Sequence, residues 1–223
     1  MRTRKMLKAF CGIVVLLLFC EMSFGQTSEA KVLNKRVEAV RIDLSSLHLA
    51  LSELASKYGI PIGLETIKED GLESEEKITI DVPEGTIKDV LDAIIQAAPR
   101  YEWEVVDGVI NVLPKENRDS FLKGILDTSI KEFTIKPGQS KISVRGAITN
   151  LPEVKEKLKA ANVSPLNLEF VSTEFAKLSE SFSLDARNKT VRSILNQIIR
   201  KSNAKYWLVS RFGKKQEFLI INL

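Results

Sequence analysis

The apolar positions of this chain change period several times, and each change marks an element. Val40, Ile42 and Leu44 alternate with polar residues and predict a strand over 37–44. From Leu47 the spacing turns helical. Leu47, Ala50, Leu51, Leu54 and Tyr58 share one face, with Ser46 placed to cap the helix and Gly59 to stop it. Residues 60–64 read as a short edge strand, because Pro61 lacks the donor that a central strand would use. Residues 66–76 are acidic and loop-like, and Ile78 and Ile80 alternate into another strand. Pro83-Glu84-Gly85 is a turn. Thr86 then caps a second helix, with Asp89 placed to close a near capping box and Ile87, Val90, Leu91, Ile94 and Ile95 facing inward. Residues 101–106 and 109–113 flank Asp107-Gly108 and predict a tight hairpin. The order is βαββαββ.

The same order recurs 104 residues later without a gap. Leu47 falls on Leu151, Leu54 on Leu158, Asp81 on Asp185, Thr86 on Thr190 and Leu91 on Leu195. The two tryptophans, Trp103 and Trp207, fall on each other. Most matched positions are apolar, so a folding unit is what repeats, and both tryptophans read as core anchors. The second copy predicts a strand over 142–148, a helix over 152–161 and a strand over 166–170. Phe182 and Leu184 mark a third strand, Thr190 caps a helix, and 205–209 with 217–223 form the last hairpin. Between the copies, 119–126 reads as a short helix and 130–136 as a strand. The predicted fold class is α+β. It comprises two tandem βαββαββ modules, 38–113 and 142–223, each with two helices packed against small mixed sheets. An extension (26–37) precedes them and a structured connector (114–141) joins them.

The first 25 residues read as a secretory signal: Arg2, Arg4, Lys5 and Lys8 precede a short apolar run, and Ser23-Phe24-Gly25 suits cleavage before Gln26. A lipoprotein would use Cys20, but the bulky Phe19 before it opposes that reading. Export changes the composition argument. The chain has 33 basic and 29 acidic residues, and after Gly25 it keeps 29 and 28. The basic excess therefore belongs mostly to the signal and is no argument for nucleic acid. Both cysteines, Cys11 and Cys20, leave with it, and thiol chemistry and disulfides leave too.

The pattern Leu47-x-x-Ala50-Leu51-x-x-Leu54-Ala55-x-x-x-Gly59-Ile60-x-Ile62, followed by a strand and a second Leu/Ile helix, resembles the STN module. That is the short N-terminal domain of bacterial secretins and TonB-dependent transducers. The likeness covers about 75 residues of the first copy. The second copy departs from it at Val154, Lys155 and Val163 and joins through the internal match. The resemblance implies two helices between a two-stranded and a three-stranded sheet. It also implies a periplasmic docking role without catalysis, in contact with a secretion or TonB-type envelope machine.

The candidate chemistry is sparse. The shared carboxylates Glu65/Glu169 and Asp81/Asp185 are the acid–base candidates and define the alternative reading, a periplasmic enzyme or regulator. The single histidine, His48, falls on the polar side of its helix and cannot by itself make a histidine-rich metal site. No phosphate loop or nucleophile elbow appears, so no cofactor, metal or catalytic residue is assigned. Charge is more informative. Residues 38–113 hold six basic and sixteen acidic residues, and residues 142–223 hold fourteen and seven. Opposite signs invite the halves to meet, or invite an acidic envelope partner or lipid head groups onto Arg187, Lys189, Arg192, Arg200, Lys201 and Lys205. The expectation is a protein partner or self-association, with no nucleic acid and at most peripheral membrane contact.

Overall fold

A computed structural model describes residues 31–68, 77–166, 178–179 and 181–223. The expected export signal, most of the acidic loop and Glu169 lie outside these residues. The fold is α+β. In the first half, β1 (Arg36–Val37) pairs with β5 (Gly85–Thr86), and β2 (Val40–Ser46) pairs antiparallel with β4 (Lys77–Val82). Helices α1 (Leu47–Tyr58) and α2 (Ile87–Ala97) lie between that pair and the strands β3 (Ile62–Glu65), β6 (Tyr101–Val106) and β7 (Val109–Pro114). The local signals act as their chemistry requires. The Ser46 hydroxyl accepts from Leu49 N–H, and Gly59 leaves α1 at φ 64. Thr86 and Asp89 form a full capping box. Asp107 and Gly108 take φ 56 and 73, as a two-residue hairpin turn of this hand demands.

Residues 114–141 contribute α3 (Ser120–Leu126), capped by Asp119, and β8 (Ser129–Ile135). Strand β8 pairs antiparallel with β10 (Leu184–Thr190), as β2 pairs with β4. The predicted strand over 142–148 is instead a helix, α4 (Lys141–Thr149). Ile142, Val144 and Ile148 fit a period of two. Val144 and Ile148 are also one helical turn apart and both are buried, and Ser140 caps the helix by accepting from Ser143 N–H at 3.1 Å. Helix α5 (Pro152–Ala160) follows with proline in its first turn, then β9 (Val163–Pro165), α6 (Val191–Lys201), β11 (Tyr206–Phe212) and β12 (Glu217–Asn222). The observed strand, Val163–Pro165, precedes the one expected over 166–170; Leu166 lies beyond its end, and 167–170 lie outside the described residues. Phe182 precedes its strand as a buried side chain.

One six-stranded sheet runs through the molecule in the order β6-β7-β3-β11-β12-β9. Strand β3 is therefore central, not an edge. It lies parallel to β7 on one side and to β11 on the other, with all four residues buried. Pro61 stands just before the strand, where its missing donor removes no ladder bond. Both triplets, β6-β7-β3 and β11-β12-β9, join one antiparallel pair to one parallel pair in the same order. Because β3 and β11 run parallel, the second triplet has every strand direction reversed. A half-turn about an axis across the strands relates the two triplets, and it sends their helices to opposite faces of the sheet. The cores follow. Ile62, Leu64, Ile110 and Val112 pack with α1 and α2, whereas Val109, Trp207, Val209, Leu219 and Ile221 pack with α3 to α6.

Strand β8 buries Ile130, Phe133 and Ile135 in the second core. A chain beginning at Lys115 is expected to unfold cooperatively in urea, and one beginning at Ile142 is expected to lack that transition. Equal transitions for both fragments would show that β8 is dispensable.

Candidate functional site

The densest chemistry lies where β3 meets β11. Glu65, the last residue of β3, is 0% exposed. Arg118 grips it with two bonds, Nε to Oε1 at 2.6 Å and Nη2 to Oε2 at 2.5 Å. Arg192, from α6 in the other half, donates Nη2 to Oε2 at 2.6 Å. The side chains of Arg118 and Arg192 are 25% and 12% exposed, so a carboxylate without solvent is held by two partly buried cations. The Glu65 contact keeps the Arg118 guanidinium above its ordinary range, against the opposing effect of burial.

Arg192 also lies over the Trp207 ring, 5.9 Å from its centroid. Trp207 Nε1 donates to Asn196 Oδ1 at 2.8 Å. Its indole rests on Gly63, where any side chain would overlap it. Glycine is needed there for close approach, not for its torsion angles. Trp103 repeats the arrangement on α2, donating to Asp92 Oδ1 at 3.1 Å. The aligned tryptophans thus make equivalent bonds, but their burial differs. Trp207 is fully buried and Trp103 half-buried, so only Trp207 is the full core anchor expected of both.

A second charged chain runs beside Glu65. Asp119 caps α3 and takes Arg211 Nη1 at 3.3 Å, and Arg211 also binds Glu217, which binds Lys68. The bonds from Lys68 and Arg211 lower the Glu217 carboxyl below its usual range. Its stabilisation is therefore present above the ordinary carboxylate range and is lost as pH falls through the lowered value. Glu217→Gln is expected to flatten the pH dependence of urea stability in that acid window. An unchanged slope would remove Glu217 from the account.

The remaining sequence candidates separate. Of the six basic residues, Arg192 is consumed by Glu65. Arg200 donates to the Asp107 carbonyl at 2.7 Å, in the first half's hairpin turn. Lys205 closes the end of α6 on the Ser202 carbonyl at 2.7 Å. All three make bonds within the chain, Arg192 and Lys205 from partly buried positions and Arg200 from an exposed one. Arg187, with its side chain 70% exposed, and the exposed Lys189 and Lys201 remain on the surface. Arg187 stands near Glu132 and Asp185, at 3.5 and 3.7 Å. Asp81 and Asp185 are exposed on different strands and form no carboxylate pair with Glu65. His48 is half-buried, not on an open polar surface, with Nδ1 3.4 Å from the hydroxyl of Tyr206 across the junction. Arg118 and Asn196 were not singled out by sequence. The match of Asn196 to Asp92 at the aligned tryptophans was the available signal.

A shallow hollow of about 30 Å³ between β2 and α1 has Arg41, Glu53 and Lys57 among its lining residues, with Glu53 its one carboxylate. Among the described residues, no group of three or more His, Cys, Asp or Glu is placed to hold a metal ion, and no helix is long and apolar enough to cross a membrane. Comparison with family models, curated proteins and solved structures finds no match to this chain. The likeness to the STN module rests on the residues quoted above.

Proposed function

We propose that this chain is an exported, non-catalytic docking protein of the bacterial periplasm that joins a secretion or TonB-type envelope machine. The observation that carries the reading is the fate of Glu65. The most buried carboxylate candidate is saturated by Arg118 and Arg192 and ties the two halves of the sheet together. A general acid or base needs access to a reacting proton, and this carboxylate has none. Asp81 and Asp185 are exposed, and among the described residues neither belongs to a group of three or more His, Cys, Asp or Glu. The strongly acidic first half and the cations left on the second supply surfaces for protein recognition.

Crosslinking followed by pull-down from envelope fractions is the test. Secretin or receptor components should be recovered, and their absence from repeated captures would end the proposal. Intact-mass analysis should find an amino terminus at or near Gln26. Uncleaved chain in the cytoplasm would overturn export, and fatty acid on Cys20 would make the chain a lipoprotein.

A further inference from the structure

The contact between the halves shows how this fold receives a strand, and the first half has the same receiving edge. Strand β11 is the counterpart of β6, as the tryptophan bonds to Asn196 and Asp92 show. On β11, the carbonyls of Lys205 and Val209 accept the N–H groups of Ile62 and Thr66, at 2.9 and 3.1 Å. Strand β3 enters parallel, with Gly63 opposite Trp207. On β6, the outward groups available for pairing belong to Trp103 and Val105, because Glu102, Glu104 and Val106 face β7 in the antiparallel hairpin and Tyr101 N–H is bonded to the Ala98 carbonyl at 3.0 Å. Among the described residues, β6 ends the sheet and no strand covers it. The opposite end is blunted. Leu166 N–H bonds back to Leu219, so Pro165 turns its donorless nitrogen outward on β9.

We propose that the open edge of β6 accepts a basic, extended segment of a partner protein, entering as β3 enters β11. The charge chooses the occupant. Where β11 presents Tyr206 and Leu208 to the apolar Ile62 and Leu64, β6 presents the exposed Glu102 and Glu104. An incoming strand with lysine or arginine on that face is matched. A small residue on its other face fits opposite Trp103, as Gly63 fits opposite Trp207. A second acidic copy of the same edge is repelled. Backbone bonds supply affinity and alternate side chains supply selectivity.

This inference rests on the docking reading and gives it a location and a partner chemistry. The probe is a synthetic hexapeptide of alternating valine and lysine with glycine at its third position, titrated into the purified chain at low salt. Binding is expected to slow hydrogen exchange at the Trp103 and Val105 amides and to change tryptophan emission. Val105→Pro removes one outward donor and should abolish binding while leaving the circular dichroism intact. Glu102→Lys/Glu104→Lys should weaken binding about tenfold or more and favour the glutamate version of the peptide. The proposal fails if no β6 amide is protected, or if the peptide binds all three proteins alike. It also fails if Val105→Pro instead abolishes a concentration-dependent dimer, which would give the edge to a second copy. If these variants still capture the envelope partner of the unmodified chain, the docking reading survives and the β6 site does not. If the unmodified chain captures nothing, the docking reading itself fails.

Discussion

Glu65→Leu is expected to lower stability by about 3–5 kcal/mol, because it strips the Arg192 and Arg118 guanidinium groups of the carboxylate that binds both, and Arg192, 12% exposed, is the more deeply stranded of the two. The loss comes from the uncompensated cations more than from the attraction removed. Glu65→Leu combined with Arg192→Leu should therefore recover part of it, since the second change removes one of the stranded charges. The loss should also resist salt. Screening acts mainly on exposed charges, and Glu65 has no exposed surface. Urea unfolding at low and high salt measures both effects. A loss below about 1 kcal/mol that vanishes in high salt would mean that the pair behaves as an ordinary surface ion pair.

The second large effect is an asymmetry between aligned residues. Trp207→Ala should cost about 3–5 kcal/mol, since a fully buried indole leaves a cavity against Gly63 and frees Arg192 and Asn196 of their partner. Trp103→Ala should cost about half as much, because its indole is half exposed and bonds to an Asp92 side chain that already pairs with Lys88 at 2.5 Å. Gly63→Ala should destabilise as well, by about 1–3 kcal/mol, because the added methyl must displace Trp207 in a central strand. Unfolding followed by circular dichroism compares all three without relying on either fluorophore. Equal costs for the two tryptophans would contradict the difference in their burial.

Short-range features were legible in the chain. Ser46, Thr86, Asp119 and Thr190 start helices, and each side-chain oxygen accepts a backbone N–H two or three residues on. Asp107-Gly108 turns a hairpin because both residues tolerate positive φ. The last amphipathic helix of each half, α2 and α6, was readable from apolar spacing alone. Helix α4 was not, because Ile142, Val144 and Ile148 fit a period of two while Val144 and Ile148 alone also fit a helical turn, and the Ser140 cap decides between them.

Tertiary structure decided what each of these elements meets. Glu65 and Arg192 are 127 positions apart, and no local pattern joins a carboxylate at a strand end to an arginine on a distant helix. Strand β3 looked like an edge because proline precedes it; it is central because β11 arrives to take its outward N–H groups. The match of Trp103 to Trp207 was visible in sequence and extends to the helix that receives each indole N–H. Their unequal burial was not visible. Strand β3 lays Gly63 beneath Trp207, whereas β6 ends the sheet and leaves Trp103 half open. Sequence by itself determined the elements, because caps, turns and apolar spacing act over a few residues. Only the fold decided which edge is closed, which charge is buried and which tryptophan is sealed, because those depend on strands brought together from distant parts of the chain.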